Sequence, residues 1–255
     1  MSNDKNIFYT IFFLLVMTVM SHAATRGDVK VIEASENIRY LSQNLAKEYF
    51  FFYAHPKKIE VKDELNQMLL KLNDNFRVIA RTTTNSDTKD ILEFLAYSKD
   101  QIAEIFNEKP DQEKAALMLD YSETLLEGAD SIASAHAYDF SDEERMLMTT
   151  KKMEYLLERI TKYYMAINTG FDNITNKESM QESIDKFDEN MEIINAYQYP
   201  DAQAKEQENI NHAWSSNKLF FSKSKDLFIP ALMFCSIGYL EKVLDDIALY
   251  HSKNQ

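Results

Sequence analysis

Apolar residues recur every three or four positions along most of the chain, and long stretches carry no residue that would interrupt a helix. Ile38, Leu41, Leu45, Tyr49 and Phe52 follow steps of 3, 4, 4 and 3. That spacing predicts one stripe of an amphipathic helix facing a core. Met153, Leu156, Ile160, Tyr164 and Ile167 repeat the same steps later in the chain. Breaks between such segments are readable. Gly27-Asp28 precedes the first helix, and His55-Pro56 ends it. Thr82 to Asp87 is a polar turn that caps the third helix, and Pro110-Asp111 opens the fourth. Ser141 with Glu144 reads as a capping box opening the fifth helix, and Thr175 with Glu178 as one opening the sixth. Pro200-Asp201 starts the seventh. Ser224 or Asp226, followed by Pro230 near the first turn, starts the eighth.

The eight segments fall into two sets. Shifting the chain by 115 residues lays Tyr40, Leu41, Lys47 and Tyr49 on Tyr155, Leu156, Lys162 and Tyr164 without a gap. Lys71 and Asn75 fall on Lys186 and Asn190, and His136 falls on His251. The expected fold is therefore all-α: two tandem antiparallel four-helix bundles related by internal duplication, over residues 29–138 and 144–253. Each helix should run for roughly 20–28 residues. The linker from Ala137 to Asp142 is short, so end-to-end stacking or one long shared helix is expected.

Composition adds a compartment. Ile7 to Met20 is an apolar run, and Ser21-His22-Ala23 places small residues where a signal peptidase reads them. Residues 1–23 read as a secretory signal peptide cleaved after Ala23, which implies a periplasmic protein; the alternative is an uncleaved anchor formed by residues 7–20. The net charge is −13, and removing Asp4 and Lys5 with the signal leaves it there. No basic footprint is present, which argues against nucleic acid as a partner. Cys235 is the lone cysteine, so no intramolecular disulfide can form, and its apolar surroundings suggest a small core residue.

The first helix carries a motif. It reads Ala34-Ser-Glu-Asn-Ile-Arg-Tyr-Leu-Ser-Gln-Asn-Leu-Ala-Lys-Glu-Tyr49. This resembles the helix that opens the PilJ-type sensor domain of type IV pilus chemotaxis transducers, which is related to the periplasmic domains of the nitrate/nitrite sensor kinases NarX and NarQ. Arg39, Leu41, Ser42, Gln43, Ala46, Lys47 and Tyr49 match the family pattern. Glu36, Asn37 and Tyr40 depart from it. The second set keeps Leu156, Arg159, Ile160, Lys162 and Tyr164, with Glu154 in place of the central arginine. The resemblance implies a helical sensory module outside the inner membrane, with the anion held by the arginine that Arg39 matches. No kinase or methyl-accepting region is present, so a separate membrane sensor or chemoreceptor is implied as partner.

Arg39, Ser42 and Gln43 are thus the candidate ligand-binding residues, for a small anion such as nitrate or nitrite. A guanidinium suits a planar anion because it is permanently charged and donates as a fork. Ser42 and Gln43 lie three and four residues on and could add donors. Glu36, three residues earlier, is a competitor that could neutralise Arg39 locally. Lys151 and Lys152 read as a solvated face. His136 and His251 read as helix C-terminal residues favoured by the dipole. Asp245-Asp246 and Glu143-Glu144 are adjacent on a helix and diverge, so neither forms an acid/base couple. No nucleophile motif, phosphate loop or metal-ligand spacing occurs. The expectation is a non-enzymatic protein without a cofactor. An alternative is a helical interaction protein of the cell envelope, including a homodimer, with no small ligand.

Overall fold

A computed structural model describes residues 26–58, 60–222 and 228–255. The signal segment, its cleavage point and the Ser224 or Asp226 helix start lie outside these residues. Among the described residues there are eight α-helices and no strand: α1 (Arg26–Ala54), α2 (Glu60–Thr82), α3 (Ser86–Asn107), α4 (Gln112–Ala135), α5 (Asp142–Asn168), α6 (Ile174–Ala196), α7 (Asp201–Ser222) and α8 (Pro230–Lys253). No helix among them is long and apolar enough to cross a membrane.

Local chemistry fixes most of the helix starts. Asn85 and Asp111 accept from the backbone N–H of Thr88 and Lys114 at the starts of α3 and α4. Ser141 and Glu144 form the expected capping box of α5, with both reciprocal bonds present. The box expected at Thr175 is not the cap of α6. Asn173 takes that role and accepts from Asn176 N–H at 2.8 Å, which leaves Thr175 inside the first turn. At the end of α5, Gly170 adopts φ of 110°, a conformation L side chains resist. The turn it makes lets Phe171 N–H bond the Ala166 carbonyl at 3.0 Å.

Helices α1 to α4 close into one ring of contacts, with α1 against α2 and α4 and with α3 against the same two. Helices α5 to α8 do likewise, with α5 against α6 and α8 and with α7 against the same two. Contacts recur at the 115-residue spacing. Asp28 bonds His136 and Glu143 bonds His251; Tyr49 meets Phe106 and Tyr164 meets Phe221; Asn73 meets Lys99 and Asp188 meets Trp214. The histidine ties explain more than the helix dipole does. Each joins the last turn of a fourth helix to the start of a first, at 2.8 Å for His136 and 2.6 Å for His251. Because a carboxylate only accepts, Nδ1 carries the proton, and Nε2 is left for Thr83 and Thr88 or for Tyr199.

The two rings neither stack end to end nor share a helix. They lie side by side through α1 and α5, and residues 136–141 separate α4 from α5. Contacts along α1 and α5 advance together, from Arg39 against Tyr155 to Lys47 against Glu158, so the two helices run parallel. This corrects the single-stripe expectation. Sixteen residues of α1 and fifteen of α5 are buried, against no more than eight in any other helix. Leu41 to Lys47 and Ile160 to Ile167 are buried without interruption, since the ring covers one face and the opposite ring covers the other. Cys235 is exposed, contrary to the core position expected of it. It sits between Met233 and Ile237, which carry the buried stripe of α8.

Two glycines give a test of opposite sign. A Cβ on Gly128 of α4 would lie 2.5–2.9 Å from three atoms of Leu95, which is fully buried on α3. A Cβ on Gly238 of α8 would meet nothing within 4 Å. Gly238→Ala should stabilise by about 0.5–1 kcal/mol through helix propensity. Gly128→Ala should destabilise by about 1–3 kcal/mol despite the same propensity gain, because Leu95 has no room to yield. Urea unfolding of both variants checks the pair.

Candidate functional site

The contact between α1 and α5 is unusual in what it buries. Lys47, Glu158 and Lys162 are all within the core, together with Gln43, Glu36 and Glu154. Burying a charge is costly unless a partner is supplied, and the partners are visible. Lys47 Nζ lies 2.9 Å from the Glu158 carboxylate, across the seam, and 3.4 Å from Glu48. Burial pushes the Lys47 ammonium down, but Glu158 and Glu48 outweigh it and hold the group above its usual range. Lys162, at the position matching Lys47 in the other ring, bonds Ser122 Oγ at 3.1 Å and the Glu123 carboxylate, both on α4. Arg159 takes the same Glu123 at 2.6 Å. Burial raises Glu123, yet Lys162 and Arg159 together bring it down to about 2. Burial lowers Lys162 to about 8, only partly offset by the carboxylate it shares with Arg159.

Arg39 stands beside this seam. One arm of its guanidinium bonds the Glu36 carboxylate and the other bonds Asp130 of α4. Its Cζ lies 5.8 Å from the centre of the Tyr155 ring. Burial opposes the charge, and Glu36 and Asp130 overcome it, so the guanidinium is held above its ordinary range. Ser42 and Gln43 turn elsewhere. Ser42 Oγ donates to the Arg39 carbonyl at 2.7 Å, and Gln43 Nε2 donates to the Ser122 carbonyl at 3.0 Å. Gln43 Nε2 also donates to Ser42 Oγ at 3.0 Å, so these two side chains bond each other, whereas the Arg39 guanidinium is bonded to Glu36 and Asp130. The guanidinium carries two carboxylates, and an anion would have to displace one of them.

The opposite side of the seam, toward α8, holds a cleft. Two adjoining cavities of about 390 and 270 Å³ open between α1, α5 and α8 and share Glu36, Asn37, Lys151 and Asp245. Lys151 is not on a solvated face as expected. It reaches Glu154 at 2.8 Å and Asp245 at 3.5 Å. Burial raises the carboxyls here: Glu154 to about 7, and Glu241 to about 9, where the nearby Glu158 adds to the effect. Glu36 is raised for the same reason, with Arg39 pulling the other way. The polarity inverts between the rings. Glu36 and Arg39 on α1 occupy the positions of Lys151 and Glu154 on α5, so each helix carries an acid–base pair of reversed order.

Sequence reasoning missed the buried Lys47, Glu158, Lys162 and Glu123. A signal existed: Lys47 and Lys162 coincide under the 115-residue shift, each two residues before a tyrosine of the apolar stripe, Tyr49 and Tyr164. Comparison of the chain with protein-family models, with curated proteins and with solved structures gives no match.

Two outcomes follow. Glu158→Leu leaves Lys47 buried without its main partner and should cost about 3–5 kcal/mol, whereas Lys47→Met with Glu158→Leu should return most of that loss. Denaturant unfolding of the single and double variants checks it. Stability should also fall as pH rises from 5 to 8. Glu154 and Glu241 hold their protons longer in the folded state than in the unfolded chain, where a glutamate titrates near about 4.3. The stabilisation is complete below that value and is lost through about 7 for Glu154 and about 9 for Glu241. Glu241→Gln should flatten the profile in thermal unfolding.

Proposed function

We propose that the chain is a non-catalytic recognition module, built by duplication of a four-helix unit, exported to the periplasm and acting through a separate membrane receptor. The observation that carries this reading is the charged seam between α1 and α5 and the cleft that opens beside it. A seam of paired charges holds its register by complementarity of partners. A molecule entering the cleft would touch both rings at once, on α1 and on α5 with α8, and so could bias how they sit against each other. The charges are spent on each other across helix contacts and do not converge on a reacting centre. The recurring contacts at the 115-residue spacing support the duplication, and the apolar run with Ser21-His22-Ala23 supports export.

The ligand is not an anion at Arg39 in this reading. Glu36 and Asp130 occupy the guanidinium, and the chain is acidic overall. A second reading, as a helical interaction protein, draws on Leu70 of α2 with Phe94 and Tyr97 of α3. All three are more than half exposed on one helical hairpin.

Thermal unfolding of the mature protein in the presence of a panel of small anions, zwitterions and organic cations tests the reading. Saturable stabilisation by a member of the panel other than nitrate or nitrite is expected, with a monomer by light scattering. A silent panel together with a stable dimer, disrupted by Phe94→Ser with Tyr97→Ser, would transfer the assignment to the interaction reading. Nitrate stabilisation lost in Arg39→Ala would restore the anion site.

A further inference from the structure

Charge is distributed unevenly around the seam. Toward α4, the cations Arg39, Arg159 and Lys162 are each met by a carboxylate. Toward α8 the acids are in excess. Glu33, Glu36, Glu154, Glu241 and Asp245 line the two adjoining cavities, against one lysine, Lys151. We propose that this cleft binds an aliphatic organic cation carrying primary ammonium groups. The inference rests on the recognition reading above and assigns it a ligand class.

Four features of the cleft fit such a ligand. Glu36 is only 5 % exposed, and its Oε2 has no hydrogen-bond donor; Oε1 of Glu241, on the opposite wall, also lacks one. Buried acceptors without donors are rare and costly, and an ammonium supplies three donors at once. Lys151 shows that the cleft accommodates this group, because its own ammonium already sits between Glu154 and Asp245. Lys151 serves Glu154 and Asp245 and Arg39 serves Glu36, so the carboxyls of the cleft still outnumber the cations bonded to them. Leu147, Met148, Ala248 and Leu249 give the larger cavity an apolar wall for a short carbon chain. The acids are spread over three helices, and no group of metal-ligating side chains is found among the described residues, so an inorganic ion is the poorer fit.

Lys151 is at once a partner of the cleft and a competitor for it, and this gives a test with a gain as well as a loss. Calorimetric titration of the mature protein with cadaverine at pH 8 should show saturable binding. Glu36→Gln and Asp245→Asn should each weaken it roughly tenfold, the usual effect of losing one charge-assisted hydrogen bond. Lys151→Met should tighten it by a similar factor, because the internal ammonium is removed and Lys151 is one-third exposed, so folding tolerates the change. Circular dichroism confirms the helical fold of each variant. No binding of cadaverine, binding indifferent to all three substitutions, or equal binding of calcium would overturn the assignment. If cadaverine is silent while another member of the small-molecule panel stabilises the protein, the cation assignment falls and the recognition reading stands.

Discussion

The structure depends on a single constraint: two helices that are buried all round over Leu41 to Lys47 and Ile160 to Ile167 must also bury charge, and each buried charge needs a partner on a neighbouring helix. α1 and α5 are the two helices concerned. Apolar packing alone would let them slide or rotate, since Leu, Ile and Met surfaces tolerate many registers. Lys47 against Glu158 permits few, because separating the pair strands an ammonium in a medium that solvates it poorly. The same need draws α4 in, where Glu123 serves both Lys162 and Arg159. It draws α8 in on the other side, where Asp245 faces Lys151. Four helices are thereby locked to one another by charge, and the remaining four shield their outer faces.

The two rings meet through helices that correspond at the 115-residue spacing, and the two sides of the seam differ. Two related rings placed side by side would bring like residues together at their contact, and like charges would repel. The chain avoids this by reversing the order of acid and base, Glu36 and Arg39 on one helix and Lys151 and Glu154 on the other. The replacement of Gln43 by Glu158 at the matching position has the same effect, giving Lys47 a carboxylate that Lys162 must find on α4 instead. These three changes, Glu36 to Lys151, Arg39 to Glu154 and Gln43 to Glu158, all lie on the helices through which the rings touch. Features that serve each ring internally stay alike, as in the two histidine–carboxylate ties.

Much of the fold was legible in the sequence, because helix starts are decided locally. Ser141 with Glu144, Asp111 and Pro230 act within one turn of their own position. Thr175 misled because Asn173, two residues earlier, competes for the same backbone donors and wins. The side-by-side arrangement was not legible. Periodicity says that a helix has a buried stripe, but it does not say what covers the other face, and for α1 and α5 it is a second ring. The candidate anion site was read from one helix alone, and what meets Arg39 comes partly from another. Arg39 does flank the seam, but Asp130 lies 91 residues away in sequence and is invisible to local reasoning. The buried lysines were hidden for a related reason: their partners come from other helices, so no short motif records them.

The most direct test of the seam is native-state hydrogen exchange resolved by residue. The amides of Leu41 to Lys47 and Ile160 to Ile167 should exchange slowest and with one shared opening free energy, since the two rings are held as a single cooperative body. Two separate free energies, one for each ring, or exchange in α1 as fast as in the outer helices, would contradict it.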